Sequence, residues 1–164
     1  MLVDVTEDLR RRCPVELQDA IAALMELRKH FGRETVSAAL GEVSERLVAV
    51  YSGAERVRRS RPGHDLKLPG GTIEVKSRLI DNYGDTLKFD FRRHSAGTTE
   101  AYWIAWQAAV GKPPRIEQAF KMPVSFLLER WGVQGGKNYC ARTTLGKLRN
   151  ALSGSVAKTV SLVN

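Results

Sequence analysis

Three charged residues surround a short turn in the stretch GHDLKLPGGTIEVKSR, residues 63–78. Asp65 precedes the PGG turn at 69–71, and Glu74 and Lys76 follow it. Because PGG is a tight-turn signal, we expect the two arms to pair as a hairpin that brings Asp65 close to Glu74. Glu74 and Lys76 are two residues apart in a strand, so their side chains share one face. Two carboxylates held together repel each other unless a cation lies between them.

This combination of residue types predicts metal-assisted chemistry on a phosphate. Carboxylate oxygens, water and substrate phosphate are the ligands that Mg²⁺ prefers, and we expect Mn²⁺ to substitute for it. A lysine beside the ion can orient or deprotonate an attacking water, or balance charge that develops on phosphorus. Two acids and a lysine on a basic chain therefore predict hydrolysis of a phosphodiester. The alternative is that Glu74 and Lys76 are ordinary charges on an edge strand.

The same residues carry a family resemblance. PGHD followed by EVK resembles the motif of the PD-(D/E)xK, or restriction-endonuclease-like, nuclease superfamily, with Asp65 and Glu74 as the metal-binding acids and Lys76 as the lysine. The motif covers about 35 residues, from 42 to 76. It departs from the usual Pro-Asp pair, because Gly63 and His64 separate Pro62 from Asp65.

The resemblance implies an Mg²⁺-dependent endonuclease that acts on DNA, with the Val75 carbonyl as a further metal ligand. Many members also carry a Glu on the helix before the first strand, and GEVSER supplies two candidates, Glu42 and Glu45. At about 100° per residue, Glu42 lies on the flank of the apolar stripe of that helix, while Glu45 points nearly opposite it. This argument favours Glu42, and the choice between the two stays open.

Positive charge is concentrated in the second part of the chain. The net charge is +8, but residues 1–55 have 7 Lys and Arg against 10 Asp and Glu, whereas residues 56–164 have 19 against 8. This distribution suits a polyanion such as nucleic acid, although a solvated basic surface is the alternative. The candidate contacts are basic residues before, within and well after the motif: Arg58, Arg59, Arg61, Arg78, Arg142, Lys147 and Arg149.

Hydrophobic spacing predicts a single domain of mixed α and β structure. Helices are expected at 15–31 and 34–52, and strands at 66–68, 72–80, in TLKFDFRR and in the apolar run AYWIAWQAAV. Shorter helices are expected after Pro123 and in RTTLGKLRNAL. The resemblance implies a central mixed sheet of four to five strands flanked by helices, beginning with a helix and three antiparallel strands. Residues 1–33 are then a helical addition, and 34–164 are the catalytic core with its basic C-terminal part.

Composition excludes several classes of protein and suggests partners. No apolar run is long enough to cross a bilayer and no signal peptide is evident, so a cytoplasmic protein without membrane contact is expected. Cys13 and Cys140 lie too far apart in the sequence to indicate a zinc site. One small domain has room for one active site, so cutting both strands of a duplex requires a homodimer or sequential nicking. RNA as the substrate, a protein partner that supplies specificity, and a non-catalytic nucleic-acid-binding module remain open alternatives.

Overall fold

The computed structural model describes residues 1–27, 30–57, 63–80, 83–107, 114–134 and 138–161. Within these residues the chain forms five helices: α1 Thr6–Arg11, α2 Val15–Leu27, α3 Arg33–Ser52, α4 Val124–Trp131 and α5 Leu145–Ser161. The same residues form eight strands: β1 Val3–Asp4, β2 Glu55–Arg56, β3 Leu66–Leu68, β4 Gly71–Leu79, β5 Lys88–Arg92, β6 Glu100–Gln107, β7 Arg115–Pro123 and β8 Tyr139–Thr144. The prediction of mixed α and β structure is confirmed. No helix in these ranges combines the length and the apolar character needed to cross a bilayer.

A six-stranded mixed sheet organises the fold, in the order β1-β7-β6-β4-β3-β2. β4 and β6 are parallel, and the other neighbours in this sheet are antiparallel. β6 lies near the centre, and its residues 101–106 are all buried. The prediction of a buried strand in the apolar run is therefore confirmed, because a strand covered on both faces has no polar face to alternate with.

The predicted meander of three antiparallel strands is wrong in its third member. β5 pairs with β8 in a separate two-stranded sheet, and β6 occupies the place beside β4. Phe89 and Phe91 of β5 are fully buried, and the Phe89 ring stacks on Trp103 of β6 with 5.2 Å between centroids. After β4 the chain crosses one face of the six-stranded sheet, and the buried phenylalanines of β5 pack against the apolar residues of that face.

Two hydrophobic cores lie on the two faces of the six-stranded sheet. Helices α1–α3 pack on the face that carries Val75, Tyr102 and Trp106. The β5–β8 pair, α4 and α5 cover the opposite face, which carries Trp103. Glu74 and Lys76 pair in register with Ala101 and Trp103, so they point to this second face, under β5.

The first 33 residues are more than a helical addition to the core. β1 pairs with β7 at one end of the sheet, and Leu9 of α1 is fully buried. β1 and β7 raise the strand number above the four to five that were expected. The N-terminal segment therefore belongs to the sheet and to its first core.

Candidate active site

Asp65 is fixed by its backbone as well as by its side chain. Its N–H donates to the Ile73 carbonyl (2.9 Å), and its own carbonyl accepts from the Val57 N–H (3.0 Å). Its Oδ2 accepts from the Val75 N–H (2.7 Å). Gly63 has a φ of +123°, and a Cβ there would lie 3.2 Å from the His94 carbonyl oxygen. A glycine at 63 therefore lets the loop dock closely enough to deliver Asp65 to the sheet edge.

Glu74 and Lys76 share a face of β4, as the spacing predicts. The two side chains form a close ion pair. Only 4% of the Glu74 side chain and 20% of the Lys76 side chain are exposed. The Glu74 side chain is therefore buried, and its ion-pair partner Lys76 is the more exposed of the two.

The electrostatics of Asp65 reflect two crowded acids. Burial raises the pKa of Asp65, and the charges of Glu74 and, less strongly, Glu45 raise it further, to about 6. The Val75 N–H and the Lys76 charge act in the opposite direction. The repulsion between Asp65 and Glu74 is therefore only partly relieved by Lys76, and a further cation would stabilise both carboxylates.

The donor set fits Mg²⁺ in the way that this ion usually binds. Among the described residues, no cluster of three or more His, Cys, Asp and Glu side chains is placed to hold a metal. Mg²⁺ does not require one, since it often binds through one or two carboxylates and keeps several waters. The N–H and C=O of a strand residue point to the same side, so the Val75 carbonyl faces the same edge as the Asp65 carboxylate. Asp65, Glu74 and the Val75 carbonyl thus make a suitable oxygen set.

The helix glutamates are oriented differently from the helical-wheel expectation. Ser44 and Val48 are buried together with the predicted stripe of α3, so the buried face extends towards Glu45. The Trp106 indole N–H donates to Ser44 Oγ (2.9 Å), which fixes this rotation of α3. The Glu45 side chain is 21% exposed and that of Glu42 is 37% exposed. Although the structure describes both glutamates, neither lines the space that holds Asp65 and Glu74. The charge of Glu45 nevertheless raises the pKa of Asp65, so Glu45 is the better candidate for a residue that acts on the site from outside it.

A cleft of about 320 Å³, which we call the central cleft, holds Asp65, Glu74 and Lys76. Five further described side chains line it: His64, Arg78, Asp90, Arg92 and His94. Of these five residues, Arg78 was predicted from the sequence as a nucleic-acid contact. Arg92 lies two residues after Asp90 in the same strand, so both side chains point outward on one face. This spacing is the sequence pattern that could have identified Arg92 as a residue of the cleft. His94 reaches the cleft through the crossing of β5, and no pattern in the sequence indicates this.

The remaining predicted nucleic-acid contacts are dispersed. Arg142 pairs with Asp90 across the β5–β8 pair and so borders the central cleft. Arg149 of α5 bonds Gln118 and Asp85, and Lys147 is exposed on the same helix. Among the described residues, neither of these two lines the central cleft. Arg58, Arg59 and Arg61 lie outside the described residues.

Comparison with known proteins adds no assignment to this geometry. No model of a protein family matches the chain, and a search of curated proteins gives no significant match.

Proposed function

We propose that this protein is a metal-dependent nuclease that hydrolyses phosphodiester bonds in DNA. One observation carries the proposal: two carboxylates, Asp65 and Glu74, interact electrostatically beside Lys76 in one cleft. The cleft is also lined by Arg78 and Arg92, which suit a polyanionic substrate. A protein that only binds nucleic acid gains nothing from two acids that face a phosphate.

Each residue has a distinct task in the proposed reaction. Bound Mg²⁺ supplies a Lewis acid for the phosphoryl oxygens and lowers the pKa of a coordinated water. Asp65, Glu74 and the Val75 carbonyl would hold the ion, and the Val75 N–H keeps the Asp65 carboxylate oriented. Lys76 moves from Glu74 towards the phosphate, where it orients the attacking water or balances the developing negative charge. Arg78 binds the phosphate beside the scissile bond.

The arrangement also supports a restriction-endonuclease-like core as the finer description of the fold. α3 precedes the β3–β4 hairpin, the aspartate immediately precedes one arm, and Glu-Val-Lys lies on the other. The fold departs from that core in its third strand, because β5 pairs with β8 outside the six-stranded sheet. If both strands of a duplex are cut, this proposal requires either a homodimer that brings two such sites together or sequential nicking.

Cleavage of supercoiled plasmid tests the function directly. The protein is incubated with Mg²⁺, with Mn²⁺ and with EDTA, and nicked and linear products are measured over time. We expect nicking with either metal and none with EDTA. No cleavage of this plasmid or of single-stranded DNA with either metal, together with retained salt-sensitive DNA binding, would instead support a non-catalytic binding module. A parallel RNA substrate tests whether DNA is preferred.

The pKa of Asp65 gives a pH prediction. At sub-saturating Mg²⁺ we expect cleavage to rise with pH through about 6, because the ion needs the ionised carboxylate. Since the proton and the metal compete, raising the Mg²⁺ concentration moves the midpoint to lower pH. Initial rates across pH at several Mg²⁺ concentrations measure this. A midpoint that does not move with Mg²⁺ would contradict metal binding by Asp65.

Without metal, the titration of Asp65 can be followed through the free energy of unfolding. The folded state binds the Asp65 proton more tightly than the unfolded chain, whose pKa is near 3.8. In EDTA, the contribution of Asp65 to the free energy of unfolding therefore falls as pH rises from about 4 to about 6. Asp65→Asn removes this part of the pH dependence, which urea unfolding at each pH detects.

Glu45 and Glu42 form a matched pair for testing the third acid. Both lie on α3 and both contact Arg56, at 3.0 and 3.6 Å. We expect Glu45→Gln to raise the Mg²⁺ concentration for half-maximal cleavage by about tenfold, as loss of a residue next to a metal ligand commonly does. Glu42→Gln should leave it within about twofold, because the Glu42 side chain is more exposed (37%) than that of Glu45 (21%) and its charge is better screened by water. The opposite order would restore Glu42 as the metal-site residue.

A further inference from the structure

Two grooves continue the central cleft, one at each side. The first, which we call the Tyr83 groove, has a volume of about 690 Å³ and shares Arg78 with the central cleft. The second, the Tyr139 groove, has a volume of about 710 Å³ and shares Asp90, Arg92 and His94 with it. Because lining residues are shared at both junctions, the three spaces adjoin one another in a row with the acids in the middle, and we call this row the channel.

Strand β5 runs along this channel. Lys88 lines the Tyr83 groove, Asp90 lines the central cleft, and Arg92 lines the central cleft and the Tyr139 groove. All three lie on the outward face of β5, because Phe89 and Phe91 point to the core. At about 3.3 Å per residue, Lys88 to Arg92 spans about 13 Å along the strand.

The channel is basic on both sides of its carboxylates. In the Tyr83 groove the cations Arg33, Arg78 and Lys88 outnumber the single acid, Glu34. In the Tyr139 groove Arg92 and Arg93 outnumber Asp90. The negative charge of Asp90 is balanced by its ion pair with Arg142. Phosphates that precede and follow the scissile one would therefore meet cations, while the scissile phosphate would meet Lys76 and the acids.

An arginine stacks on a tyrosine at each end of the channel. The Arg33 guanidinium lies 4.9 Å from the Tyr83 ring centroid and donates to its hydroxyl (3.2 Å). The Arg142 guanidinium lies 4.0 Å from the Tyr139 ring centroid. Tyr83 is 49% exposed despite its contact with Arg33. These pairs hold two flat, partly exposed platforms, on which bases stack without sequence preference.

The depth of the acids decides which form of nucleic acid fits. The Glu74 side chain is only 4% exposed, so the scissile phosphate must descend into the central cleft. A flexible single strand bends into such a cleft, whereas a duplex resists sharp bending. Bases within a duplex are also already stacked and cannot lie on a tyrosine. We propose, building on the nuclease function proposed above, that the substrate is an unpaired polynucleotide strand that lies along β5 with bases stacked at Tyr83 and Tyr139.

Metal-free binding tests the channel independently of cleavage. In EDTA, fluorescence anisotropy compares a labelled oligothymidylate of about 20 nucleotides, enough to cover a binding site, with a blunt duplex of equal length. We expect the single strand to bind at least about tenfold more tightly. Tyr83→Ala and Tyr139→Ala should each weaken its binding about 5- to 50-fold, the loss typical of one stacked base.

Conservative and distant variants serve as controls. Tyr83→Phe and Tyr139→Phe keep the rings and should retain binding within about threefold. Arg115→Ala removes an exposed cation that pairs with Glu117 outside the channel, and we expect its affinity to stay within the same range. Equal binding of duplex and single strand, or unchanged affinity in both Tyr→Ala variants with thermal midpoints like wild type, would overturn the proposal.

Cleavage assays separate this inference from the function on which it rests. Metal-dependent cleavage by the wild type with normal binding by the Tyr→Ala variants would overturn the channel and leave the nuclease standing. Loss of binding in those variants without any cleavage by the wild type would support the channel and overturn the nuclease. Preferential cutting of single strands, weakened by Tyr83→Ala, would support both.

Discussion

Glu74→Gln should lower metal-dependent cleavage by more than about 100-fold. Loss of a residue that only supports a metal ligand already costs 10- to 100-fold, and Glu74 is placed as a ligand itself. The substitution keeps the size of the side chain and removes one of two facing carboxylates. Initial rates on plasmid at saturating Mg²⁺ measure the effect. Glu117→Gln, the same change at an exposed residue that pairs with Arg115, is the control and should cleave like wild type.

The same variant offers a second readout that does not depend on turnover. Without the Glu74 charge, the pKa of Asp65 should fall from about 6 towards its ordinary value. Titration of the Asp65 carboxyl by NMR follows this shift. An Asp65 pKa that does not respond to Glu74→Gln would contradict the electrostatic coupling on which the proposed site depends.

Lys76→Met should abolish cleavage and destabilise the fold by about 3 kcal/mol. It leaves the Glu74 carboxylate recessed beside Asp65 without its cation, and breaking a buried pair from one side costs about 3–5 kcal/mol. The low end applies because Lys76 is one-fifth exposed and the site is reached by water. Urea unfolding in EDTA measures the change in free energy, with an unchanged slope indicating an intact native state.

The double variant Glu74→Gln/Lys76→Met separates catalysis from stability. Removing both charges should recover most of the lost stability, because no uncompensated carboxylate remains at position 74. Cleavage should stay absent. If the double variant were as unstable as Lys76→Met alone, the loss would come from packing of the lysine stem and not from charge.

The central hairpin was accessible from the sequence because its determinants are local. A PGG turn and alternating residues fix the register between β3 and β4, and this register delivers Asp65 to Glu74. The long apolar spacing of α3 and the buried run of β6 are equally local signals.

The surroundings of the hairpin were not accessible in the same way. Alternation in TLKFDFRR specifies that one face is buried, but it does not specify the partner strand, so β5 was assigned to the wrong sheet. Arg92 and His94 reach the central cleft only through that crossing. The rotation of α3 depends on the Ser44–Trp106 hydrogen bond between residues far apart in the chain, and a helical wheel that counts only apolar residues misses it.

Both ends of the six-stranded sheet have little capacity to recruit another molecule. The outer strands, β1 and β2, are two residues long in the described part of the chain, and each includes an acidic residue, Asp4 or Glu55. Short, charged outer strands offer few free backbone groups, so intermolecular sheet extension and its aggregation hazard are disfavoured. A homodimer of this chain would therefore associate through helical or loop surfaces, and the sheets of the two subunits would not join into one continuous sheet.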